Sequence, residues 1–222
     1  MFSFVIKRKA VEKRDLFKAY EKFELTEGRA PRSVFELCSQ IELEEADFYT
    51  EFSSLVHLRK RLLRSIVDTT LGNLDEDENY KDFSAREKLL ALFFTLFEEL
   101  KGHRSYMLQK YNSNDPRVVK ELSADWKDFL SQLDARVEGI LMEAKSEEEI
   151  VARPYISSHY SKGFKLVFTY VFKVWLKDES DDFETTDVAI EKAINLSFDL
   201  LGKGPLDSIL DFGKFALKTK VM

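Results

Sequence analysis

The sequence predicts an all-α protein of about ten helices. Three observations carry that expectation. Glycine and proline, which interrupt regular backbone, number only eight and four in 222 residues and cluster in a few places. Between them, apolar residues recur three and four positions apart over long runs. Charged residues, 33% of the chain, interleave with them, so most runs read as amphipathic helices. With 44% hydrophobic residues and nineteen phenylalanines, the chain has the apolar bulk for a sizeable core or an aromatic-lined cavity.

The first helix is expected over about residues 10–27, with Leu16, Phe17, Tyr20, Phe23 and Leu25 at helical spacing and Gly28 as its stop. Arg29 to Arg32 connect. Ser33 is placed to cap a short helix over 33–39, with Glu36 completing a capping box. A second short helix covers 44–50. Ser53 or Ser54 then caps a long helix to about 71, with Leu55, Leu58, Leu62, Ile66 and Leu71 on one side. Asn73 to Lys81 reads as a loop. Ser84 opens a helix to about 101, Gly102 breaks it, and 103–111 form a short helix. Pro116 sits where a long helix over 117–144 would begin. After a break at Pro154, a helix over 158–177 is apolar nearly all round and must be covered on more than one side. A charged loop leads to a helix over 184–201, and Gly202 and Gly204-Pro205 set off a last segment.

Composition excludes several classes. The formal net charge of -6 argues against a generic polyanion binder, although local basic patches remain open. The single cysteine, Cys38, rules out an intramolecular disulfide and fits a reducing compartment. The start, M-F-S-F-V-I-K-R-K, places its charge after a short apolar stretch, the reverse of a secretory leader. No uncharged apolar run approaches the roughly eighteen residues a bilayer span needs. A soluble, cytoplasmic protein is expected. His57, His103 and His159 are scattered, with no second ligand at metal spacing, and neither a Ser-His-Asp set nor a glycine-rich phosphate loop is recognisable. Neither enzyme activity nor a metal or cofactor is therefore expected.

Three short-to-medium helices followed by a long one is a trihelical DNA-binding arrangement. From Ser33 the pattern runs S-V-x-x-L-C-x-x-I-x-L-x-x-x-D-F-Y-x-x-F. Over about residues 12–63 this resembles the TetR family of helix-turn-helix regulators. Leu37 and Cys38 take the place of an Ile-Ala pair and Leu43 that of the turn valine. Phe48, Tyr49 and Phe52 stand for the Leu-Tyr and Phe that close the recognition helix. Gly28 ends the first helix and Leu58 opens the fourth. The resemblance implies a head over residues 1–53 and a helical ligand-binding and dimerising domain over 54–222. It implies a homodimer that binds operator DNA, with contacts from Arg32, Ser33, Glu44, Glu45, Asp47, Tyr49, Thr50, Arg59 and Lys60. The helices over 158–177 and 184–201 stand where that family builds its dimer, giving Phe172, Trp175, Ile194 and Phe198 as interface residues.

Charge departs from the family. The turn glycine is Glu42, the usual Ser/Thr, Lys and Thr positions hold Glu44, Glu45 and Asp47, and the phosphate-meeting lysine is Leu55. From Ser33 to Val56 there are six acids and no lysine or arginine. Phosphate contacts supply most sequence-independent affinity, so this segment repels a duplex unless flanking bases such as Lys7, Arg8, Lys9, Arg32, Arg59 and Lys60 compensate. An alternative is that the fold is kept, DNA binding is lost, and a lipid or isoprenoid is bound, in solution or at a membrane surface.

Phe93, Phe97, Tyr106, Met107, Trp126, Phe129 and Phe168 are candidates to line a cavity for a small apolar molecule or lipid. In the last segment Leu206, Ile209, Leu210, Phe212, Gly213, Phe215 and Leu217 form a wide apolar stripe near Lys214, Lys218 and Lys220. This segment either docks on the body or makes peripheral membrane contact.

Overall fold

The computed structural model describes residues 12–111, 124–151, 153, 159–202, 204, 212, 213, 215 and 219. The basic residues 7–9, the first turns of the helix expected from 117, Pro154 and most of the segment after Gly204 lie outside the described residues. Among the described residues are nine α-helices, two short 3-10 helices and no strand. The chain divides into two compact units. The first takes the described residues up to Arg64 and those of His103–Asp128, and the second takes Ser65–Gly102 and the described residues from Phe129 onward. The first unit is thus made of two separate stretches of chain. The start of the fourth helix joins the first unit through buried Leu58 and Leu62 and through an ion pair of Arg59 with Asp125.

The first unit holds α1 (Lys13–Glu27), α2 (Val34–Gln40), α3 (Glu45–Glu51), the start of α4 (Leu55–Glu76) and α6 (Arg104–Tyr111). Leu16, Tyr20 and Phe23 give α1 its buried face. Gly28 ends it at φ 67°, its N–H bonded to the Glu24 carbonyl at 2.9 Å, a left-handed cap that glycine adopts without strain. Ser33 caps α2 by accepting the Glu36 N–H at 3.1 Å. Only half of the expected box forms: the Glu36 carboxylate takes the Arg32 N–H at 2.6 Å and the Arg29 guanidinium instead of returning to Ser33. Ser54 caps α4 by accepting the His57 N–H at 3.1 Å.

α2 and α3 are joined by a tight turn in which the Leu43 N–H reaches back to the Cys38 carbonyl at 3.0 Å. That geometry places Glu42 at φ 52°, in the left-handed region. A side chain there costs about 1–2 kcal/mol, part of which glycine returns by being more flexible when unfolded. Glu42→Gly is therefore expected to stabilise the chain by about 0.5–1 kcal/mol, read as a higher denaturation midpoint. An unchanged or lower midpoint would show that the turn is not strained.

The second unit holds the rest of α4 with α5 (Ala85–Lys101), α7 (Lys127–Ser146), α8 (Tyr160–Leu176) and α9 (Glu184–Leu201). α4 runs past its expected end at 71, through Gly72 and Asn73, because Leu74 is buried one turn beyond Thr70 and two beyond Ile66. The expected loop then contracts to a 3-10 helix over Glu78–Asp82 that buries Tyr80. Ser84 and Glu87 close a full capping box on α5. The core of this unit is aromatic: Phe168 on α8 lies 6.0 Å from Phe97 and 5.2 Å from Phe129, centroid to centroid.

Both ends of α9 are pinned. At its start, Asp178 accepts the N–H and hydroxyl of Thr186 at 2.8 and 2.5 Å, and those of Ser180 at 2.9 and 2.6 Å. Burial opposes the charge of Asp178, but these four donors outweigh it and pull its pKa down to about 2. At its end, buried Arg153 donates to the carbonyls of Leu201 and Gly202 at 3.1 and 2.7 Å and to the Tyr160 hydroxyl at 3.2 Å. A cation on the last carbonyls of a helix also complements its dipole. The same guanidinium so ties the end of α9 to the start of α8.

Candidate functional site

In the first unit, the site implied by the sequence is the outer face of α2, the turn and α3. Phe48 and Phe52 are buried and seat α3, with ring centroids 5.8 Å apart, and Phe17 of α1 lies 5.5 Å from Phe52. Tyr49 is not a third anchor. It is 53% exposed, its ring edge-on to Phe48. Arg32, Ser33, Glu44 and Thr50 are exposed beside it, whereas Glu45, Asp47 and Lys60 are half-buried. Sequence reasoning missed Phe35, which projects from α2 at 65% exposure and lines a groove of about 480 Å³ with Ser39, Glu42, Glu44 and Ala46. Its only signal was position: Phe35 falls opposite the buried Val34, Leu37 and Cys38.

Local bases neutralise the edges of this face. Arg29 and Arg32 engage Glu36, whose pKa falls to about 2, chiefly through the Arg29 guanidinium. Lys13 lies 3.3 Å from Glu51. The acids at the tip, Glu42 and Glu44, stay exposed. Burial first, then the Glu45 and Asp47 carboxylates, raise the Cys38 thiol pKa, so this sulfur is held as the neutral thiol.

Arg59 requires a correction. It was expected to hold a phosphate, but it is buried and donates to Asp125 through Nε at 2.8 Å and Nη2 at 3.2 Å. Burial disfavours its charge, yet the bonds to Asp125 outweigh that and hold its pKa above the usual value. Beside it, α1 is tied to α6. His103 lies 2.5 Å from Glu21, and Lys110 lies 3.0 Å from Glu24.

The seven residues expected to line an apolar cavity fall in both units. All are buried, but Tyr106, Met107 and Trp126 belong to the first unit, and Phe93, Phe97, Phe129 and Phe168 to the second. The latter four pack as core, and Phe97 alone borders a small polar recess, of about 90 Å³, with Lys101, Asp182 and Asp187.

The expected dimer residues also require a correction. Phe172, Trp175, Ile194 and Phe198 are buried within the single chain. Phe172 and Trp175 stack at 5.7 Å, and Trp175 lies 6.1 Å from Phe97. The uncovered apolar residues lie on the opposite sides of the same two helices: Leu166 at 74% and Tyr170 at 56% exposure on α8, with Val188, Leu196 at 58% and Leu200 on α9. Between the helices runs an apolar groove of about 600 Å³, bordered by Gly163, Leu166, Tyr170, Ala193, Leu196 and Leu200.

Phe212 and Phe215 of the last segment are exposed, and the rest of its expected stripe, apart from Gly213, lies outside the described residues. No described helix is long and apolar enough to cross a membrane. Among the described residues no group of three or more His, Cys, Asp or Glu side chains is placed to hold a metal ion.

Among solved structures, the chain is similar to a TetR family transcription regulator from Marinobacter aquaeolei VT8. The two are 16% identical, with 84% of this chain and 93% of that one covered, at a TM-score of 0.49. No curated protein matches the sequence. Residues 88–216 match the family described as tetracyclin repressor-like, C-terminal domain. That match spans more than half of the 222 residues, and the chain belongs to this TetR family.

Proposed function

We propose that the chain is a homodimeric TetR-type transcription regulator that binds operator DNA and responds to a small apolar ligand. The observation that carries this reading is the uncovered stripe of Leu166, Tyr170, Val188, Leu196 and Leu200 on a chain of this family. A contiguous apolar surface of this kind marks an interaction face, and a second copy would remove it from water. Operator contact falls to the head: Ser33 and Arg32 at the start of α2, Tyr49 and Thr50 on α3, Lys60 on α4, and the acids Glu44, Glu45 and Asp47 facing base edges. A carboxylate in the groove can accept from cytosine N4. The exposed Arg14, Lys18 and Lys22 add cations for the phosphate backbone. An apolar ligand would part the rings of Phe93, Phe97, Phe129 and Phe168 and alter the separation of the two heads, which must match half-sites about one DNA turn apart. A cytoplasmic location goes with this reading.

A second reading is favoured by one observation. The tip of the head is acidic, with Glu42 and Glu44 exposed, while Arg59 is committed to Asp125. In that reading DNA binding is lost and the chain holds a lipid or isoprenoid, with peripheral membrane contact through the segment after Gly204.

Titration with bulk duplex DNA separates the two. A regulator that neutralises about six phosphates loses on the order of a thousandfold in affinity between 50 and 200 mM salt. Absence of binding at 50 mM salt, together with a lipid recovered by solvent extraction of the purified protein, would establish the second reading and reject the first.

A further inference from the structure

We propose that the cleft where α4, the 3-10 helix, α5 and α7 meet binds a phosphate monoester of a small, partly apolar organic molecule. The inference does not rest on the DNA or homodimer readings above. The cleft lies wholly within the second unit and measures about 340 Å³. At roughly 30 Å³ per water, that is room for about eleven waters, or for a ligand of on the order of ten heavy atoms. Leu74 and Ile140 give it an apolar wall. Its charged lining is three cations, Lys81, Lys88 and Arg136, against two acids, Asp75 and Glu143. Three less two leaves +1, on a chain whose formal net charge is -6.

Arg136, Ile140 and Glu143 follow one another at helical spacing, so α7 turns one face to the cleft. Lys88 stands at the start of α5, where the helix dipole favours an anion rather than a cation. Its Nζ lies 2.6 Å from Glu143, and Arg136 Nη2 lies 2.5 Å from Asp75. The members of each pair differ in depth. The Lys88 and Arg136 side chains are 14% and 25% exposed, and those of Glu143 and Asp75 are 51% and 60% exposed. The cations therefore belong to the inside of the cleft, and the acids reach to them over its rim. Lys81 is exposed and makes no ion pair among the described residues. The Tyr80 hydroxyl makes a long bond, 3.4 Å, to the Lys88 carbonyl. Burial raises its pKa against the pull of Arg136, so it stays protonated and able to donate.

Such an arrangement is open to exchange. A half-exposed carboxylate gains little from a surface ion pair, because water solvates it nearly as well. The sheltered cations have no such substitute, so an incoming anion can displace the rim acids and take their place. A phosphate monoester carries a charge of about -1.5 to -2 at pH 7 and three acceptor oxygens. Two of those oxygens can meet the Arg136 guanidinium side by side, and the third can meet an ammonium. With Asp75 and Glu143 returned to water, three cations face one doubly charged group. The organic part of the ester then lies against Leu74 and Ile140. A neutral molecule of the same size would leave both ion pairs closed across the cleft.

The test is calorimetric titration of the full chain with phenyl phosphate, with phenol as the neutral control and circular dichroism as the fold control. Phenyl phosphate is expected to bind once per chain and phenol not to bind. Lys88→Gln and Arg136→Gln should each weaken phenyl phosphate about tenfold, the effect of one lost charge-assisted contact. Glu143→Gln should instead strengthen it about threefold, because the competing carboxylate is gone. A purely structural role for the ion pairs does not produce that gain. Should Lys88→Gln or Arg136→Gln lose helicity, the exposed positions decide: Lys81→Gln is expected to weaken binding and Glu143→Gln to strengthen it. Failure of phenyl phosphate to saturate the chain at millimolar concentration, saturable binding of phenol at the same affinity, or a Glu143→Gln chain that binds phenyl phosphate no better than the wild type would overturn the site.

Discussion

Replacing Asp125 by alanine is expected to destabilise the folded chain by about 3–5 kcal/mol. Both members of the Arg59–Asp125 pair are buried, and the guanidinium meets both carboxylate oxygens. Taking two charges out of water is expensive, and only the paired geometry offsets it. Truncating Asp125 removes the two charge-assisted bonds that offset the desolvation of Arg59. The buried Tyr20 hydroxyl is neutral, its pKa raised by burial and then by Glu24, so it does not bring a second negative charge to the guanidinium. The companion variant Arg59→Met with Asp125→Leu removes the charge and the cost together, so it is expected to recover most of the loss. Urea denaturation of the two variants separates an electrostatic effect from a packing one. A loss below about 1 kcal/mol for the single variant, or equal losses for both, would mean that the pair is not what fixes the start of α4.

That pair also shows where the sequence stops informing. Arg59 sits among Lys60, Arg61 and Arg64, and read locally it is one more base beside a helix-turn-helix. Its partner is 66 residues away, and nothing in the spacing of either residue announces the other. The head itself is written locally. Ser33, Gly28 and Ser54 mark helix ends through their own backbone chemistry, and the alternation of Phe48 and Phe52 fixes which side of α3 is dry. Glu42 was marked too, since a residue in a glycine position inherits glycine's backbone. The faces of α8 were not written this way. A helix apolar nearly all round has no periodic contrast from which to choose a buried side. Packing chose instead, because Phe168 and Trp175 meet Phe97, and that turns Leu166 and Tyr170 outward. The same limit applied to the ligand cavity, because aromatic content cannot say whether rings surround a space or fill one.

Leu166→Glu is expected to dissociate the proposed homodimer while leaving the single chain folded. Leu166 is 74% exposed, so a carboxylate there costs the isolated chain little. In the dimer each Leu166 would be buried once per copy, and burying a leucine side chain contributes about 1.5–3 kcal/mol. Two copies give about 3–6 kcal/mol, a weakening of roughly a hundredfold to ten-thousandfold in the dimer dissociation constant. Phe172 supplies the contrast, six residues after Leu166 on the same helix but inside the core. Phe172→Ala is expected to cost about 3–5 kcal/mol of folding stability, and its effect on association should follow only from the unfolding it causes. Sedimentation velocity and thermal denaturation on both variants give four numbers. Dissociation confined to Leu166→Glu and melting confined to Phe172→Ala would place the interface on the outer stripe. If Phe172→Ala instead dissociated a fully folded chain while Leu166→Glu remained dimeric, the interface would lie on the inner residues, and α8 would have to turn by about half a revolution on pairing.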